Sequence, residues 1–295
     1  MKTKYIDLIE QNFDFPQEEF KLNQKHQLEF HGIDLMDLVD TYGGPLKFTY
    51  LPKISENIQK AKKWFGDAIK DHQYKGKYNY CYCTKSSHFK FVLDRALEND
   101  IHIETSSAFD INIIENLLMQ GKIHPHTKVI CNGFKRAQYI ENISRLMNNG
   151  FKNCVPIIDN YEEINLLTES ITNPFDIGIR IASEEEPKFE FYTSRLGIGY
   201  KNIIPYYKKH LQKNKKVQLT MLHFFINTGI QDQSYYWNEL LKCMRVYVNL
   251  KKICPSLNSL NIGGGFPIKN SLGFEYDYAY MAHEIIGQIQ LACHE

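Results

Sequence analysis

Three strand-like runs in this 295-residue chain end in residues that could do chemistry. The first is Cys81-Tyr82-Cys83-Thr84-Lys85. Side chains alternate along a strand, so Cys81, Cys83 and Lys85 share one face while Tyr80 and Tyr82 share the other. Small thiols suit a narrow interior and bulky rings suit a helix-covered side, so the parity aims Lys85 inward. A buried lysine is costly unless it is bonded, and one with a lowered pKa can form a Schiff base with an aldehyde cofactor. The plain alternative is a solvent-facing lysine at a strand end. The second run is Asn261-Ile262-Gly263-Gly264-Gly265-Phe266-Pro267. Three consecutive glycines let the backbone approach a ligand and turn N–H groups onto a phosphate; the alternative is a flexible turn. No Gly-Lys-Ser/Thr follows, and the spacing is not G-x-G-x-x-G, so neither nucleotide motif applies. The third run, Leu222–Gly229, carries His223, a lone histidine in an apolar strand and plausible as a satisfied core residue. Asn227 and Thr228 sit at its end, where polar tips meet ligands.

Further strand ends carry weaker signals. Glu104 follows Ile-His-Ile and would end a buried run in need of a partner. Ser107, with Asp110 three residues on, reads as a helix cap. A third β-run ends in Cys131-Asn132-Gly133-Phe134-Lys135. Another ends near Arg180, with Thr193-Ser194-Arg195-Leu196-Gly197 downstream. Glu184-Glu185-Glu186 is a solvated acidic loop or a receiver for a cationic substrate.

These ends need a scaffold, and the chain supplies one by alternation. Tyr78–Thr84, Ile101–Glu104, Lys128–Cys131, Val155–Ile158, Asp176–Ala182, Val217–Phe225 and Ser259–Ile262 are β-rich, and each is followed by a helix-like segment, the last being Tyr276–Cys293. Seven strand-then-helix units in order predict a parallel sheet with crossover helices. Right-handed crossovers leave an open doubly wound sheet or a closed barrel, and seven equal units favour the barrel. A barrel of this kind has eight strands and places its active groups at their C-terminal ends; the eighth is not found. Ahead of the alternation, Pro45–Leu51 reads as one more strand. Pro52–Asp71 reads as a helix with Ser55 as an early cap and Ile58, Ala61, Trp64 and Phe65 on one face.

Composition narrows the class. Hydrophobic residues make 43% and charged residues 23%, the balance of a globular chain. Lys plus Arg is 35 against 34 for Asp plus Glu, so no whole-protein field draws it to nucleic acid or an anionic membrane. There is no apolar run long enough to span a bilayer, and the polar start lacks a signal core. Seven cysteines, irregularly spaced and without a Cys-x-x-Cys pair, predict reduced thiols in the cytosol and neither a disulfide framework nor a metal site.

Together these strand ends resemble the alanine-racemase-type barrel of pyridoxal-phosphate (PLP) decarboxylases. The resemblance rests on a lysine ending the first strand, Leu-His-Phe-x-Ile at 222–226 and Asn-Ile-Gly-Gly-Gly-Phe at 261–266. Val129-Ile130-Cys131-Asn132-Gly133-Phe134-Lys135 and Ile103–Asp110 are similar to stretches of biosynthetic arginine decarboxylases. The resemblance implies a (β/α)8 barrel of the TIM type and PLP held on Lys85. Gly263, Gly264 and Gly265 would bind its phosphate with Thr193 or Ser194. Arg180, His223 and Glu104 would surround the ring, and Thr228 would stand in the cofactor site. It also implies decarboxylation of a basic amino acid: arginine to agmatine in polyamine synthesis, or else diaminopimelate, ornithine or carboxynorspermidine. A PLP-binding barrel without decarboxylase activity is the reading from another class.

Two departures accompany the resemblance. The family's His-Phe-His-Ile-Gly-Ser is here His223-Phe224-Phe225-Ile226-Asn227-Thr228. The family also carries an eighth strand and a C-terminal β domain, so further residues are expected beyond Glu295. On that expectation residues 1–52 hold a strand for that domain, residues 53–295 form the barrel, and the whole enzyme is a cytoplasmic homodimer or higher homo-oligomer.

Overall fold

The structure, a computed structural model, describes residues 19–124, 126–182, 196–226, 230, 233–268 and 275–294. They belong to two compact units, residues 1–50 with 266–277, and residues 51–265 with 278–295.

The first unit holds a small antiparallel meander, β1 (Phe20–Leu22), β2 (Leu28–Phe30) and β3 (Ile33–Asp34). Phe20 faces Phe30 across the ladder, and their rings lie 4.8 Å apart. Asp34 then caps α1 (Leu35–Tyr42) by accepting the Met36 and Asp37 N–H groups. Pro45–Leu51, expected as a strand, joins no ladder among the described residues. Pro45 has no N–H to donate, and Leu51 already has helical dihedrals (φ −59°, ψ −38°). Phe48 and Tyr50 instead pack edge-on against Phe30, at 5.9 and 5.4 Å.

The second unit opens with α2 (Pro52–Asp71), started by a proline where its missing N–H costs nothing. Ser55 makes no cap; its hydroxyl accepts from Asn99 Nδ2 at 3.0 Å. The alternation then appears as β4 (Cys81–Cys83), α3 (Lys90–Leu97), β5 (His102–Thr105), α4 (Ala108–Met119), β6 (Val129–Cys131), α5 (Ala137–Asn148), β7 (Cys154–Ile158), α6 (Tyr161–Ser170) and β8 (Phe175–Ala182). It continues with a two-residue β9 (Ile198–Gly199), α7 (Tyr200–Tyr206), β10 (Val217–His223), α8 (Gln233–Lys251), β11 (Ser259–Asn261) and α9 (Tyr278–His294). Seven of these strands form one parallel path, β4-β5-β6-β7-β8-β10-β11, and β9 pairs β8. The sheet is curled, as in a barrel: Asn261 on β11 reaches Glu104 on β5, near the opposite end of that path.

Parity within the strands matches the reading from side-chain size. Cys81 packs inside against Ile130, Val155, Ile157 and Met221. Tyr80 and Tyr82 pack outside with Ile58, Ala96 and Ile101. Gly178 is glycine because a Cβ there would strike Ile157 and Met221 in that interior. Each fully buried aliphatic side chain contributes about 1.5–3 kcal/mol. Helix starts follow local chemistry. Ser107 and Asp110 form the expected capping box on α4, and Asn160 caps α6. Pro205 lies inside α7, and a π-turn at Tyr207–Leu211 follows it. α9 lies along α2: Trp64 stacks on Tyr278 at 5.1 Å, and His72 Nε2, just past α2, meets His283 Nδ1 at 2.8 Å.

All seven cysteines are unbridged; Cys131, Cys154, Cys243 and Cys254 are buried, Cys81 and Cys83 half-buried, and Cys293 exposed. Among the described residues no helix is long and apolar enough to cross a membrane.

Candidate active site

The interior layer of Cys81, Ile130, Ile157, Gly178 and Met221 is apolar. Two residues further along each strand the same parity brings up a polar layer at the C-terminal ends. It consists of Cys83, Glu104, Asn132, Asp159, Arg180, His223 and Asn261, each on or one residue past a strand of the path. Register levels part of this layer and staggers it at β6, where Glu104 pairs with Ile130. Cys83 pairs with Glu104, Arg180 with His223, and His223 with Asn261.

Glu104 finds the partners that its position demanded. Asn132 Nδ2 donates to Oε1 at 3.1 Å, and Asn261 Nδ2 donates to Oε2 at 2.9 Å. Each asparagine is oriented by a glycine. The Gly133 N–H donates to Asn132 Oδ1, and the Gly263 N–H donates to Asn261 Oδ1, both at 2.8 Å. Asn132 Nδ2 also lies 3.0 Å from His223 Nε2, which therefore accepts and leaves the proton on Nδ1. Nδ1 reaches no partner in hydrogen-bond geometry, although Asn261 sits beside the ring. Burial pushes this imidazole down to about 4; Glu104 opposes the shift and Arg180 adds to it.

Beside this network lies a loosely engaged ion pair. Arg180 Nε stands 3.8 Å from Asp159 Oδ1, with both side chains nearly out of solvent. Among the described residues Arg180 Nε and both Asp159 oxygens lack hydrogen bonds. Burial raises the Asp159 carboxyl and lowers the Arg180 guanidinium, each opposed by the other's charge. The guanidinium lies over the Phe225 ring at 5.4 Å.

A buried Lys135–Glu163 pair holds the rim at β6 and β7. Lys135 Nζ donates to the Gly133, Ile157 and Glu163 oxygens. The Glu163 carboxylate in turn accepts the Lys135 and Asp159 N–H groups at 2.9 and 3.0 Å.

Lys85 differs from its expected setting. The strand stops at Cys83, and a turn closed by Ser86 N–H to Cys83 O (3.1 Å) follows, so strand alternation ends before Lys85. It stands exposed on the rim. The turn is pinned to β5 by Thr84 N–H donating to Glu104 O at 2.9 Å. Burial and Glu104 raise the Cys83 thiol pKa, and the Lys85 backbone and charge oppose that rise.

The glycine loop divides its labour. Gly263 (φ 67°) and Gly265 (φ 88°) adopt left-handed backbone, and a Cβ on Gly263 would meet Phe224 O at 2.8 Å. The Gly263 N–H is committed to Asn261, so it cannot also serve a ligand. Gly264 has neither constraint: a Cβ there would meet nothing within 4 Å. The N–H groups of Gly264 and Gly265 have no partner among the described residues.

Glu104, Arg180, His223 and the glycines thus gather at one end of the sheet, with Lys85 on its rim. Thr193, Ser194, Asn227 and Thr228 lie outside the described residues. Asp159 is not among the residues the sequence singles out, and Asn132 and Asn261 enter there only as parts of strand-end runs. Their parity two residues beyond Ile157, Ser259 and Ile130 was the available signal.

Comparison with known proteins adds the family. The pyridoxal-binding domain of the pyridoxal-dependent decarboxylases matches residues 52–295. A biosynthetic arginine decarboxylase of Prochlorococcus marinus (strain MIT 9215) is 24% identical over 269 residues, covering 84% of this chain and 41% of that protein. The chain thus spans about two fifths of the length of such relatives. Among solved structures, the biosynthetic arginine decarboxylase of Campylobacter jejuni superposes with a TM-score of 0.73 at 20% identity, over 99% of this chain and 50% of that one. A diaminopimelate decarboxylase from M. jannaschii gives 0.75 at 17%, over 93% and 63%. With this match over most of its length, the chain belongs to the pyridoxal-dependent decarboxylases, and residues 52–295 are their pyridoxal-binding domain.

Proposed function

We propose that the protein carrying this chain decarboxylates a basic amino acid, arginine to agmatine, with PLP held covalently on Lys85. The observation that carries the proposal is the polar layer at the strand ends, flanked by an accessible lysine and a glycine loop whose middle residue has open space above it. The residues fit the cofactor part by part. Lys85 offers an exposed amine for the aldehyde. Gly264 and Gly265 offer unpartnered N–H groups for the phosphate. Arg180 Nε and the Asp159 oxygens, paired at 3.8 Å, have no hydrogen bond among the described residues, and the guanidinium lies over the Phe225 ring.

When bound, PLP supplies the electron sink that makes loss of carbon dioxide feasible. The chain's own groups do the rest. The Lys85 amine anchors the aldehyde and can take and return a proton at Nζ. The asparagines hold the Glu104 carboxylate in one orientation. His223 stays uncharged at neutral pH. Arginine as substrate draws support from the names of the relatives at 22–24% identity.

The test is borohydride reduction of the PLP-loaded protein, followed by peptide mapping and by carbon dioxide release from carboxyl-labelled arginine, ornithine, lysine and diaminopimelate. The label should sit on Lys85, and arginine should be turned over fastest. Label on another lysine overturns the anchor. Bound PLP with no release from any of the four favours a non-catalytic barrel.

A further inference from the structure

We propose that Asn261 and Asn132 are positioning residues that bracket the Glu104 carboxylate, and that Asn261 further ties that carboxylate to the glycine loop. This rests on the reading above that a phosphate occupies the loop.

The geometry is specific. Glu104 sits on β5, yet its two oxygens are held from β6 and β11, at 3.1 and 2.9 Å. Neither amide is free to rotate, because the carbonyl oxygen of each accepts a glycine N–H at 2.8 Å. A flipped Asn261 would aim an NH2 at the Gly263 N–H and an oxygen at a carboxylate, losing both bonds. Asn261 is therefore a two-ended link. One end fixes the first residue of the loop that presents Gly264 and Gly265, and the other fixes the acid. Asn132 is built alike but leads elsewhere. Its second N–H goes to His223 Nε2, and its backbone oxygen accepts the Tyr139 hydroxyl at 3.2 Å. Anything that pulls on the loop is felt at Glu104 through Asn261, while Asn132 makes no bond to the loop itself. Both bonds run to a charged acceptor in a half-buried setting, where such bonds are stronger than neutral ones, so one amide can set the carboxylate's orientation.

The test compares PLP with pyridoxal, which lacks the phosphate, binding to the cofactor-free protein by fluorescence. Asn261→Ala should weaken PLP at least tenfold, about 1.4 kcal/mol, and pyridoxal by no more than threefold. Asn132→Ala should weaken the two ligands by the same factor. In a cycle with Glu104→Ala, adding Asn261→Ala should cost clearly less than it does alone, since part of its effect runs through the acid. Strict additivity, or equal losses of PLP and pyridoxal in Asn261→Ala, overturns the link. If the unaltered protein binds pyridoxal as tightly as PLP, the phosphate reading fails by itself. The bracket is then judged on the free protein by hydrogen exchange of the Gly263 amide. Lost protection in Asn261→Ala, with a smaller loss in Glu104→Ala, which removes the acid that holds the amide's other end, upholds it. Unchanged protection in both variants overturns it.

Discussion

An imidazole that accepts from an amide on one side and finds no partner on the other is poised to refuse a proton. Burial pulls the His223 pKa from 6.5 to about 4. The unfolded chain takes up a proton in that interval while the native chain does not. The contribution of His223 to stability is therefore complete above about pH 6.5 and is lost as the pH falls through about 4, at no more than about 1.4 kcal/mol per pH unit. Urea titrations between pH 7 and pH 4 should show a decline that is shallower in His223→Gln; identical slopes would sink the assignment. Legibility at this scale followed residue type. Glu104, Arg180 and His223 stand out because charged or titratable groups are rare at the ends of apolar runs. Asn132, Asp159 and Asn261 were passed over because asparagine and aspartate beside glycine or at a helix start also read as turn formers. Lys85 is less legible, because the parity that runs through Cys81 and Cys83 ends at the Cys83–Ser86 turn.

At the scale of elements, the rim between β6 and β7 depends on one buried ion pair. Removing a single partner of such a pair leaves an unmatched charge and costs about 3–5 kcal/mol, whereas replacing both by apolar residues of similar volume is often neutral. Glu163→Ala should therefore destabilise the second unit by that amount, and Lys135→Met/Glu163→Leu should recover most of it, as read from denaturant midpoints. Equal losses in the single and double variants would mean that the backbone bonds, not the charges, hold the rim. The elements themselves were readable because hydrophobic runs and helical segments alternated without a break, and all seven parallel strands fall where those runs lie. Pro45–Leu51 differs because β-rich composition also describes a segment whose rings pack while its backbone joins no ladder among the described residues. The π-turn after Pro205 has no composition signature; only the missing N–H hinted at a disturbed helix.

For the molecule as a whole, the path of strands ends at β4 and β11, each with a single ladder partner among the described residues. The curl between those ends is spanned by the side-chain bond from Asn261 to Glu104. Four thiols lie along this same path and Cys293 on the last helix, and that distribution makes a clock. Cys293 is exposed on the last helix, Cys81 and Cys83 lie half-covered on the terminal strand β4, and Cys131 and Cys154 lie buried on the central strands with their sulfurs 3.5 Å apart. A chromogenic disulfide reagent should consume the thiols in that order. Cys293 should react within mixing, and the β4 pair should react at the rate of local fraying. The central pair should react only at the rate of global unfolding. Should Cys131 and Cys154 react in step with Cys81 and Cys83, the sheet opens as one body and the edge has no separate life. The order of labelling thus gives a time axis for how a curled sheet comes undone, written in residues the chain already has.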